Sequence, residues 1–372
     1  MSIKRVIISG GGTGGHIYPA IAIATAMKEL DPKIEFLFVG AEGKMEMEKV
    51  PKAGFNIIGL PIVGINRAHL LKNILFPIKL INSLRMAFQV LADFKPDVAI
   101  GVGGYASGPL LLAAWVKGIP FYIQEQNSFA GITNKALSGK AKHIFVAYPG
   151  MEKFFAKEKI TLSGNPVRKD LIDISGKKAA AAKFFGLSAD KPTILIIGGS
   201  QGARSINQAI LHSLEVLAKT DIQIVWQTGI SFESEAKSAC EKFPQLPAFV
   251  SAFIYEMDLA YSMADLVVSR AGALSVSEIC LAGKPSILVP FPNAAEDHQT
   301  ENAKSLVNEN AAILITDSQA KENLVPTALK TLADKKLLAE LAENSFGMGK
   351  PKAAQQIAET ILNESSCASI SN

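Results

Sequence analysis

The fold is decided by residues 6–16, VIISGGGTGGH, which run from a short apolar strand through a glycine-rich turn into a helix-like stretch. Residues 194–204, ILIIGGSQGAR, repeat this arrangement half a chain later. A turn of this kind directs backbone N–H groups and the positive end of a helix dipole at one point, where an anion can bind. The repeat therefore predicts two similar α/β domains that face each other across a cleft and bind phosphate.

The length and composition favour a globular protein of two domains. The chain has 372 residues, of which 48% are hydrophobic and 19% charged, and this balance excludes a disordered chain. Its formal net charge of +4 is too small to indicate nucleic acid as a partner, but it suits anionic ligands or an anionic membrane surface. Three widely spaced cysteines indicate a reducing compartment, with neither a disulfide framework nor a zinc site.

The sequence also predicts a protein with neither a membrane span nor an export signal. No apolar run approaches the ~18 residues that cross a bilayer, and the N-terminal residues lead directly into a strand. We therefore expect the chain to work in the cytoplasm, where it can still touch a membrane surface.

Short β-branched runs alternate with longer helical patterns along the chain, which predicts parallel sheets covered by helices on both faces. A turn-rich break at residues 164–166 marks the domain boundary. A final helix at 351–363 presents one apolar face, formed by Ala354, Ile357, Ala358 and Ile361. The predicted strands are residues 5–9, 35–39, 97–101, 121–124, 144–147, 160–163, 193–197, 223–227, 248–252, 266–269, 286–289 and 312–315.

The first glycine turn formally matches the dinucleotide motif G-x-G-x-x-G at Gly10, Gly12 and Gly15. That motif needs an acidic residue at the end of the second strand, and Glu42 lies further along than the rule asks. His16, where the helix begins, is unexpected in a loop that only binds a pyrophosphate. A nicotinamide or flavin oxidoreductase, or a purely structural glycine turn, stays open as an alternative.

Other strands also end in glycine-rich or polar segments, and ligands of parallel sheets bind at these carboxyl ends. Glu278 can accept two hydrogen bonds from a ribose diol or simply complement a helix dipole, and Gln299 can bind sugar hydroxyls or mark a helix start. No D-x-D metal–nucleotide motif is present, so no divalent metal is implied. The segments are GVGGYASGP at 101–109, QEQN at 124–127, SRAGALSVSE at 269–278 and PFPNAAEDHQTEN at 290–302.

Residues 61–92 stand apart because they contain no Asp or Glu. Their charges are all positive, and apolar residues recur between them at helical spacing. This pattern is typical of an interfacial helix on an anionic membrane, with a core-facing helix whose polar face is basic as the alternative. The positive residues are Arg67, Lys72, Lys79 and Arg85.

Seven short motifs, each modest alone, follow one another in an order that resembles the MurG family over nearly the whole chain. This family consists of bacterial transferases that add N-acetylglucosamine to undecaprenyl-pyrophosphoryl-N-acetylmuramoyl-pentapeptide (lipid I), giving lipid II. The resemblance implies the glycosyltransferase B architecture, in which two Rossmann-like domains with parallel sheets face a cleft and the last helix crosses back to the first domain. The motifs are GGTGGH, GVGGYASGP, EQN, GNPVR, GGSQGA, SRAGALSVSE and HQTENA.

The resemblance implies an inverting transfer from UDP-N-acetylglucosamine, without metal or cofactor. Residues 1–166 with 351–372 would form an acceptor and membrane-associated domain, and 167–350 would bind the donor. The implied partners are UDP-N-acetylglucosamine, lipid I, an anionic membrane surface through residues 61–92, and cell-wall synthesis proteins; no nucleic acid is implied. We expect a peripheral protein at the cytoplasmic face of the inner membrane, acting in peptidoglycan synthesis, cell shape and division.

Site residues follow from the resemblance, position by position. Ile254 matches the position whose backbone reads uracil, and Glu278 the position on the ribose. The implied donor residues are Thr13, Gly14, Gly15, Asn127, Arg168, Ser200, Ile254, Ala273, Leu274, Ser275, Val276, Ser277, Glu278 and Gln299. The implied acceptor side comprises Tyr105 and Asn134, together with the catalytic candidates His16 and Glu125, and we add Gly103 and Gly104 from the glycine cluster.

One position departs from the family pattern, because Gln124 stands where the family usually has His. The general base is therefore His16, or as second choice Glu125, since a neutral imidazole suits proton abstraction near neutral pH. We expect the second glycine loop to hold the UDP diphosphate, and the first loop, with Gly103 and Gly104, to hold the diphosphate of the acceptor.

The nearest alternative is another nucleotide-sugar enzyme of the same fold, either a 2-epimerase or a transferase to a different lipid. A non-enzymatic scaffold is a third class, but it has no need for so many glycine-lined strand ends.

Overall fold

The chain divides into two compact units, Met1–Val167 with Lys352–Asn372, and Arg168–Pro351. Each unit is an α/β domain built on one parallel sheet, which confirms the predicted fold class. The computed structural model describes residues 3–64, 74, 76–167, 171–199, 201–294 and 297–367.

The first unit contains a seven-stranded sheet in the order β3-β2-β1-β4-β5-β6-β7. The strands are β1 (Arg5–Ser9), β2 (Glu35–Ala41), β3 (Asn56–Leu60), β4 (Val98–Gly101), β5 (Phe121–Glu125), β6 (His143–Val146) and β7 (Ile160–Leu162). The helices are α1 (Gly14–Leu30), α2 (Glu46–Lys52), α3 (Phe76–Phe94), α4 (Ser107–Val116) and α5 (Ile132–Ser138), joined at the end of the chain by α15 (Ala353–Cys367). Strand order reverses at β1, between β2 and β4, so the loops after β1 and β4 form the ligand-binding crevice expected of such sheets.

The second unit repeats this plan with a six-stranded sheet in the order β10-β9-β8-β11-β12-β13. Its strands are β8 (Thr193–Ile197), β9 (Gln223–Gln227), β10 (Ala248–Ser251), β11 (Leu266–Ser269), β12 (Ser286–Leu288) and β13 (Ile313–Leu314). Its helices are α6 (Lys178–Phe185), α7 (Arg204–His212), α8 (Leu214–Leu217), α9 (Glu233–Cys240), α10 (Met257–Met263), α11 (Ala273–Leu281), α12 (His298–Val307), α13 (Ala320–Ala333) and α14 (Lys335–Met348). The reversal point lies at β8, again directly before a glycine loop.

All twelve predicted strands form, with ends that differ by at most two residues, but β3 is absent from the prediction. Asn56 and Gly59 interrupt its apolar run, and the strand lies at the sheet edge, where three of its five residues are only half-buried. A strand with one neighbour does not need the continuous apolar run that marks the central strands.

Helix α15 packs on α1, so the end of the chain belongs to the first unit. Ile357, Ala358 and Ile361 are buried in one cluster with Ile17, and Ala354 packs against it, which confirms the predicted apolar face. The helix continues to Cys367 and is therefore longer than predicted. Within the part of the chain that the structure describes, no helix is long and apolar enough to span a bilayer.

Candidate active site

The first glycine loop rests on a buried carboxylate. Glu46, at the start of α2, is fully buried, and its Oε2 accepts a hydrogen bond from the Gly12 N–H at 2.9 Å while its Oε1 accepts one from the Ala41 N–H at 3.0 Å. A Cβ on Gly11 would lie 2.1 Å from Oε1, so only glycine leaves room for this carboxylate. The loop thus differs from the anion cradle that the sequence predicts, because the Gly12 N–H already donates to this carboxyl group.

The glycine cluster after β4 packs directly against this first loop. Gly104 has φ +90°, and a Cβ there would lie 2.3 Å from the Gly11 carbonyl oxygen. Gly103 has φ +93°, and a Cβ there would lie 2.7 Å from Cδ2 and 2.8 Å from Nε2 of His16. These two glycines are therefore required by the close approach of two loops and of the imidazole, whether or not a phosphate binds nearby.

His16 is the third residue of α1 and is half-buried. Its Nδ1 lies 3.4 Å from Oγ1 of Thr13, and its backbone N–H donates to the Thr13 carbonyl at 3.1 Å. The tautomer with its hydrogen on Nδ1, directed at Thr13, presents the lone pair of Nε2 as a base. Tyr105 is half exposed beside it, with its ring against Gly12 and Gly64.

Glu125, at the end of β5, organises the loop that follows it. Its Oε2 accepts hydrogen bonds from the Gly131 N–H at 2.9 Å and from Nδ2 of Asn134 at 2.8 Å, and its Oε1 accepts one from the Asn127 N–H at 3.1 Å. Burial raises the pKa of the Glu125 carboxyl, and these N–H donors oppose the rise. Both carboxylate oxygens are thus already engaged, which makes Glu125 a support for Asn127 and Asn134.

Asn134 is buried and presents one unused acceptor. Its Nδ2 is directed at Glu125, whereas its Oδ1 accepts no hydrogen bond within the described residues. A buried amide oxygen without a donor is costly, so this atom is suited to accept a hydroxyl from a ligand.

Gln124, at the position where the family pattern has His, is fully buried in a network of amide side chains. Its Nε2 donates to Oδ1 of Asn165 at 3.1 Å, and its Oε1 accepts a short hydrogen bond from Gln126. Nδ2 of Asn165 donates in turn to the Gln126 carbonyl at 3.0 Å. This network connects the end of β5 to Asn165, near the end of the first stretch of the first unit, so the side chain of Gln124 has a structural role there.

The second glycine loop is more open than the first. Gly202 has φ +79°, and a Cβ there would lie 2.0 Å from the Thr228 carbonyl oxygen, so the loop packs closely on the end of β9. Gly199 has φ +80° but faces open space. The loop leads into α7, and Gly199 and Gln201 are exposed; the anion site expected here stays a prediction.

Gln227, at the end of β9, joins this loop to the position expected to bind uracil. Its Nε2 donates to the Gly199 carbonyl at 3.0 Å, and its Oε1 accepts the Ile254 N–H at 2.9 Å. A uracil contact through the Ile254 N–H would therefore require Gln227 to release it.

The segment after β11 forms α11 as predicted. Ala273 and Val276 are buried, whereas Leu274, Ser275 and Ser277 are half-buried. Glu278 is the sixth residue of the helix, and its Oε2 accepts a hydrogen bond from the Tyr261 hydroxyl at 3.3 Å.

Gln299, in the first turn of α12, supports the loop after β12. Its Oε1 accepts the Phe291 N–H at 2.9 Å. Arg168 and Ser200 lie outside the described residues, so their positions stay predictions. Within the described part of the chain, no group of three or more His, Cys, Asp or Glu residues could hold a metal ion.

Sequence reasoning missed three buried polar residues, Glu46, Gln227 and Arg270. Each contacts a glycine loop or a neighbouring strand-end loop through partners distant in sequence. For Gln227 and Arg270 the sequence offered one signal, a polar residue at or directly after the end of an apolar strand, and for Glu46 it offered none.

Models of two domains match the chain, and each model covers most of one unit. The glycosyltransferase family 28 N-terminal domain matches residues 6–146, and the glycosyltransferase family 28 C-terminal domain matches residues 193–357. The chain is therefore a glycosyltransferase of family 28.

Relatives and solved structures narrow the assignment. The protein named UDP-N-acetylglucosamine--N-acetylmuramyl-(pentapeptide) pyrophosphoryl-undecaprenol N-acetylglucosamine transferase of Parabacteroides distasonis is 53% identical over 96% of this chain and 97% of its own length. Its namesake in Bacteroides fragilis is 52% identical over 96% of this chain and 95% of its own length. The crystal structure of Acinetobacter baumannii MurG matches with a TM-score of 0.77 and 32% identity over 97% of this chain and 99% of that chain. Within family 28, the chain belongs to the MurG group.

A more distant likeness shows the fold alone. The UDP-N-acetylglucosamine 2-epimerase of Neisseria meningitidis matches with a TM-score of 0.68 at 15% identity, over 97% of this chain and 100% of that chain. The family models and the 53% identical relative do not favour the alternative of a 2-epimerase or a dinucleotide-dependent oxidoreductase.

Proposed function

We propose that this chain transfers N-acetylglucosamine from UDP-N-acetylglucosamine to the C4 hydroxyl of the muramoyl sugar of lipid I, giving lipid II for peptidoglycan synthesis. The observation that carries this proposal is the 53% identity, over 96% of the chain, to a transferase named for that donor and acceptor. The glycine loops at the reversal points of both sheets support it, because a nucleotide-sugar donor needs a site for its diphosphate.

The second unit binds the donor in this proposal. The open tip at Gly199 and the start of α7, with Arg168 and Ser200, receive the diphosphate. Ile254 reads the uracil, and Glu278 accepts hydrogen bonds from the ribose. Gln299 contacts the sugar, while the residues of α11 line the nucleotide; these are Ala273, Leu274, Ser275, Val276 and Ser277.

The first unit binds the acceptor and supplies the base. The C4 oxygen of the muramoyl sugar attacks the anomeric carbon and forms the new C–O bond, while the bond to the β-phosphate oxygen breaks and UDP leaves from the opposite face. The hydroxyl proton passes to Nε2 of His16. Thr13, Gly14, Gly15 and Asn127 lie on the donor side of this unit, and Gly103, Gly104, Tyr105 and Asn134 line the acceptor side.

His16 is the preferred base, since both oxygens of Glu125 already accept hydrogen bonds from the following loop. His16→Ala should lower kcat by about 10²–10⁴-fold because it removes the proton acceptor, with only a small loss of Tm from its side-chain contact with Thr13. Glu125→Gln should lower kcat and Tm together, because the new amide hydrogens face N–H donors. A His16→Ala enzyme with near wild-type single-turnover rates would move the base to Glu125.

The decisive experiment for the reaction is radiolabel transfer from UDP-N-acetylglucosamine to a short-chain lipid I analogue. The expected product carries one additional N-acetylglucosamine and appears with stoichiometric UDP. Release of N-acetylmannosamine or its nucleotide without labelled lipid would instead indicate an epimerase.

We also propose that the first unit docks on an anionic membrane surface through residues 61–92. In the described part of this segment, Ile74, Ile78 and Ile81 are 78%, 56% and 57% exposed. Arg67, Lys72, Leu70, Leu71 and Leu75 lie outside the described residues.

The neighbouring helix α4 extends this apolar surface. It packs on α3 and ends in Trp115 and Val116, which are 44% and 60% exposed, and Nζ of Lys140 lies 4.9 Å from the Trp115 ring. Apolar side chains in a segment whose charged residues are all basic, as in residues 61–92, suit the interface of an anionic bilayer. Such docking at the cytoplasmic leaflet would bring the site to a lipid-linked acceptor, and would place the chain beside other cell-wall synthesis proteins.

A double variant tests the membrane proposal. Ile78→Glu with Ile81→Glu should weaken binding to anionic vesicles by more than about 100-fold, since each buried side chain of this size contributes about 1.5–3 kcal/mol. The control is Val216→Glu, at a position that is 52% exposed on the second unit. If the double variant and the Val216→Glu control bind vesicles with equal affinity, α3 is an ordinary surface helix and the membrane proposal is wrong.

A further inference from the structure

One buried guanidinium holds together the carboxyl ends of the second sheet. Arg270 directly follows β11 and is 9% exposed. Its Nη1 donates to the carbonyl oxygens of Val289 and Pro290, each at 3.1 Å, and to Oδ1 of Asp317 at 2.5 Å. Its Nη2 donates to Oγ of Ser205 at 3.1 Å.

The partners of Arg270 belong to three other strand-end segments. Ser205 is the second residue of α7, which follows the glycine loop after β8. Val289 and Pro290 follow β12, and Asp317 follows β13. Ser205 also donates to Oδ1 of Asp317 at 2.5 Å, so the network closes on itself. A planar fork of five donors can reach all of these acceptors at once, which the point charge of lysine cannot do.

The same segments carry the residues proposed to bind the donor. Arg270 lies three residues before the start of α11, and Glu278 is the sixth residue of that helix. The guanidinium carbon lies 5.4 Å from the ring centre of Phe291, whose N–H donates to Gln299. Displacement of Arg270 would therefore change the places of the glycine loop, α11 and Gln299 relative to one another.

We propose that Arg270, paired with Asp317, is a positioning residue for the nucleotide-sugar donor. It sets the relative placement of the loops after β8, β11 and β12, and thereby the affinity for UDP. This inference rests on the proposed function, because it takes those loops as the donor site. A buried ion pair is weak evidence for stability alone, yet breaking one leaves a costly uncompensated charge. The ionic network is thus better explained by the geometry it imposes.

The test measures the dissociation constant of UDP by calorimetry, KM for each substrate, and Tm. Arg270→Lys should raise the UDP dissociation constant by about tenfold or more, since it removes charge-assisted hydrogen bonds from the support of the site. KM for UDP-N-acetylglucosamine should rise in parallel, and KM for the lipid I analogue should stay within about twofold. Ser205→Ala and Asp317→Asn keep the guanidinium and should raise the UDP dissociation constant by a smaller factor. If Arg270→Lys does not fold, these two variants test the proposal instead.

The matched control is Asp265→Asn at the opposite, amino end of the same sheet. Asp265 accepts the Thr193 N–H at 2.8 Å and pairs with Lys178 at 3.2 Å. This variant should lose Tm while keeping the UDP affinity of the wild type. The proposal is overturned if no folded network variant changes UDP binding, or if Asp265→Asn changes it equally. Wild-type protein that binds no UDP would instead refute the proposed function.

Discussion

The substitution Gly103→Ala tests whether the loop after β4 positions the imidazole of His16. Gly103 has φ +93°, which side chains of L-residues rarely adopt, so alanine strains the backbone by about 1–2 kcal/mol. The new Cβ would also lie 2.7 Å from Cδ2 of His16. The substitution therefore has one effect on stability and a separate effect on the catalytic group.

The size of the second effect follows from the contact distance. Ordinary contact begins at 3.4 Å, so the imidazole must move away by about 0.7 Å. A misplacement of about 1 Å in a catalytic group can lower the rate about 100-fold. We expect kcat to fall by about 10-fold to 100-fold, with a smaller effect on KM for UDP-N-acetylglucosamine, because the three atoms nearest to the new Cβ all belong to His16.

The assay is steady-state transfer to a lipid I analogue, with urea unfolding measured on the same preparations. Gly54→Ala is the matched control, because Gly54 has φ +83° in the same unit and nothing within 4 Å of its Cβ. Both variants should lose similar stability, and only Gly103→Ala should lose turnover. A Gly103→Ala enzyme that turns over as fast as Gly54→Ala would refute the role of this glycine, and would weaken the assignment of His16 as the base.

Two further substitutions test the two glycine loops separately. Glu46→Gln should lower the free energy of unfolding in urea by about 1–3 kcal/mol and should also lower kcat, because one of the two backbone donors of Glu46 would face an amide hydrogen. The control is Glu48→Gln, at an exposed position of the same helix, which should change neither quantity. Gly202→Ala should weaken UDP binding in calorimetry and leave KM for the acceptor unchanged, because its Cβ would stand 2.0 Å from the Thr228 carbonyl oxygen and force the second loop open. Unaltered UDP affinity in that variant would argue against the loop as a diphosphate site.

The strand–turn–helix units could be predicted from the sequence because their signals are local. A continuous apolar run such as β8, followed by glycines and a helical pattern, needs no knowledge of distant residues. The same holds for the apolar face of α15, whose period alone identified Ile357 and Ile361. Strand β3 escaped because an edge strand tolerates Asn56 and Gly59, which break the pattern.

The supports of the site could not be predicted, because each is a contact between residues far apart in the chain. Glu46 reaches a glycine 34 residues earlier, and Arg270 reaches Asp317 47 residues later. Nothing near Glu46 distinguishes it from Glu48, which is exposed on the same helix. Whether such a side chain is buried, and which residue it contacts, depends on how whole helices and strands pack together. A local sequence pattern carries no information about that packing.

This difference between local and distant signals explains why two nearly identical glycine turns acquire different properties. In both turns the backbone places glycines between a buried strand and a helix, and electrostatics alone would make both attractive to a phosphate. In the first, the Glu46 carboxyl group already accepts the Gly12 N–H, so this donor is not available to a phosphate. In the second, Gly199 is exposed, and its carbonyl oxygen accepts hydrogen bonds from Nε2 of Gln227 and from the Gly202 N–H. We therefore expect the first loop to place His16, and the second, with its exposed tip at Gly199, to bind the leaving diphosphate.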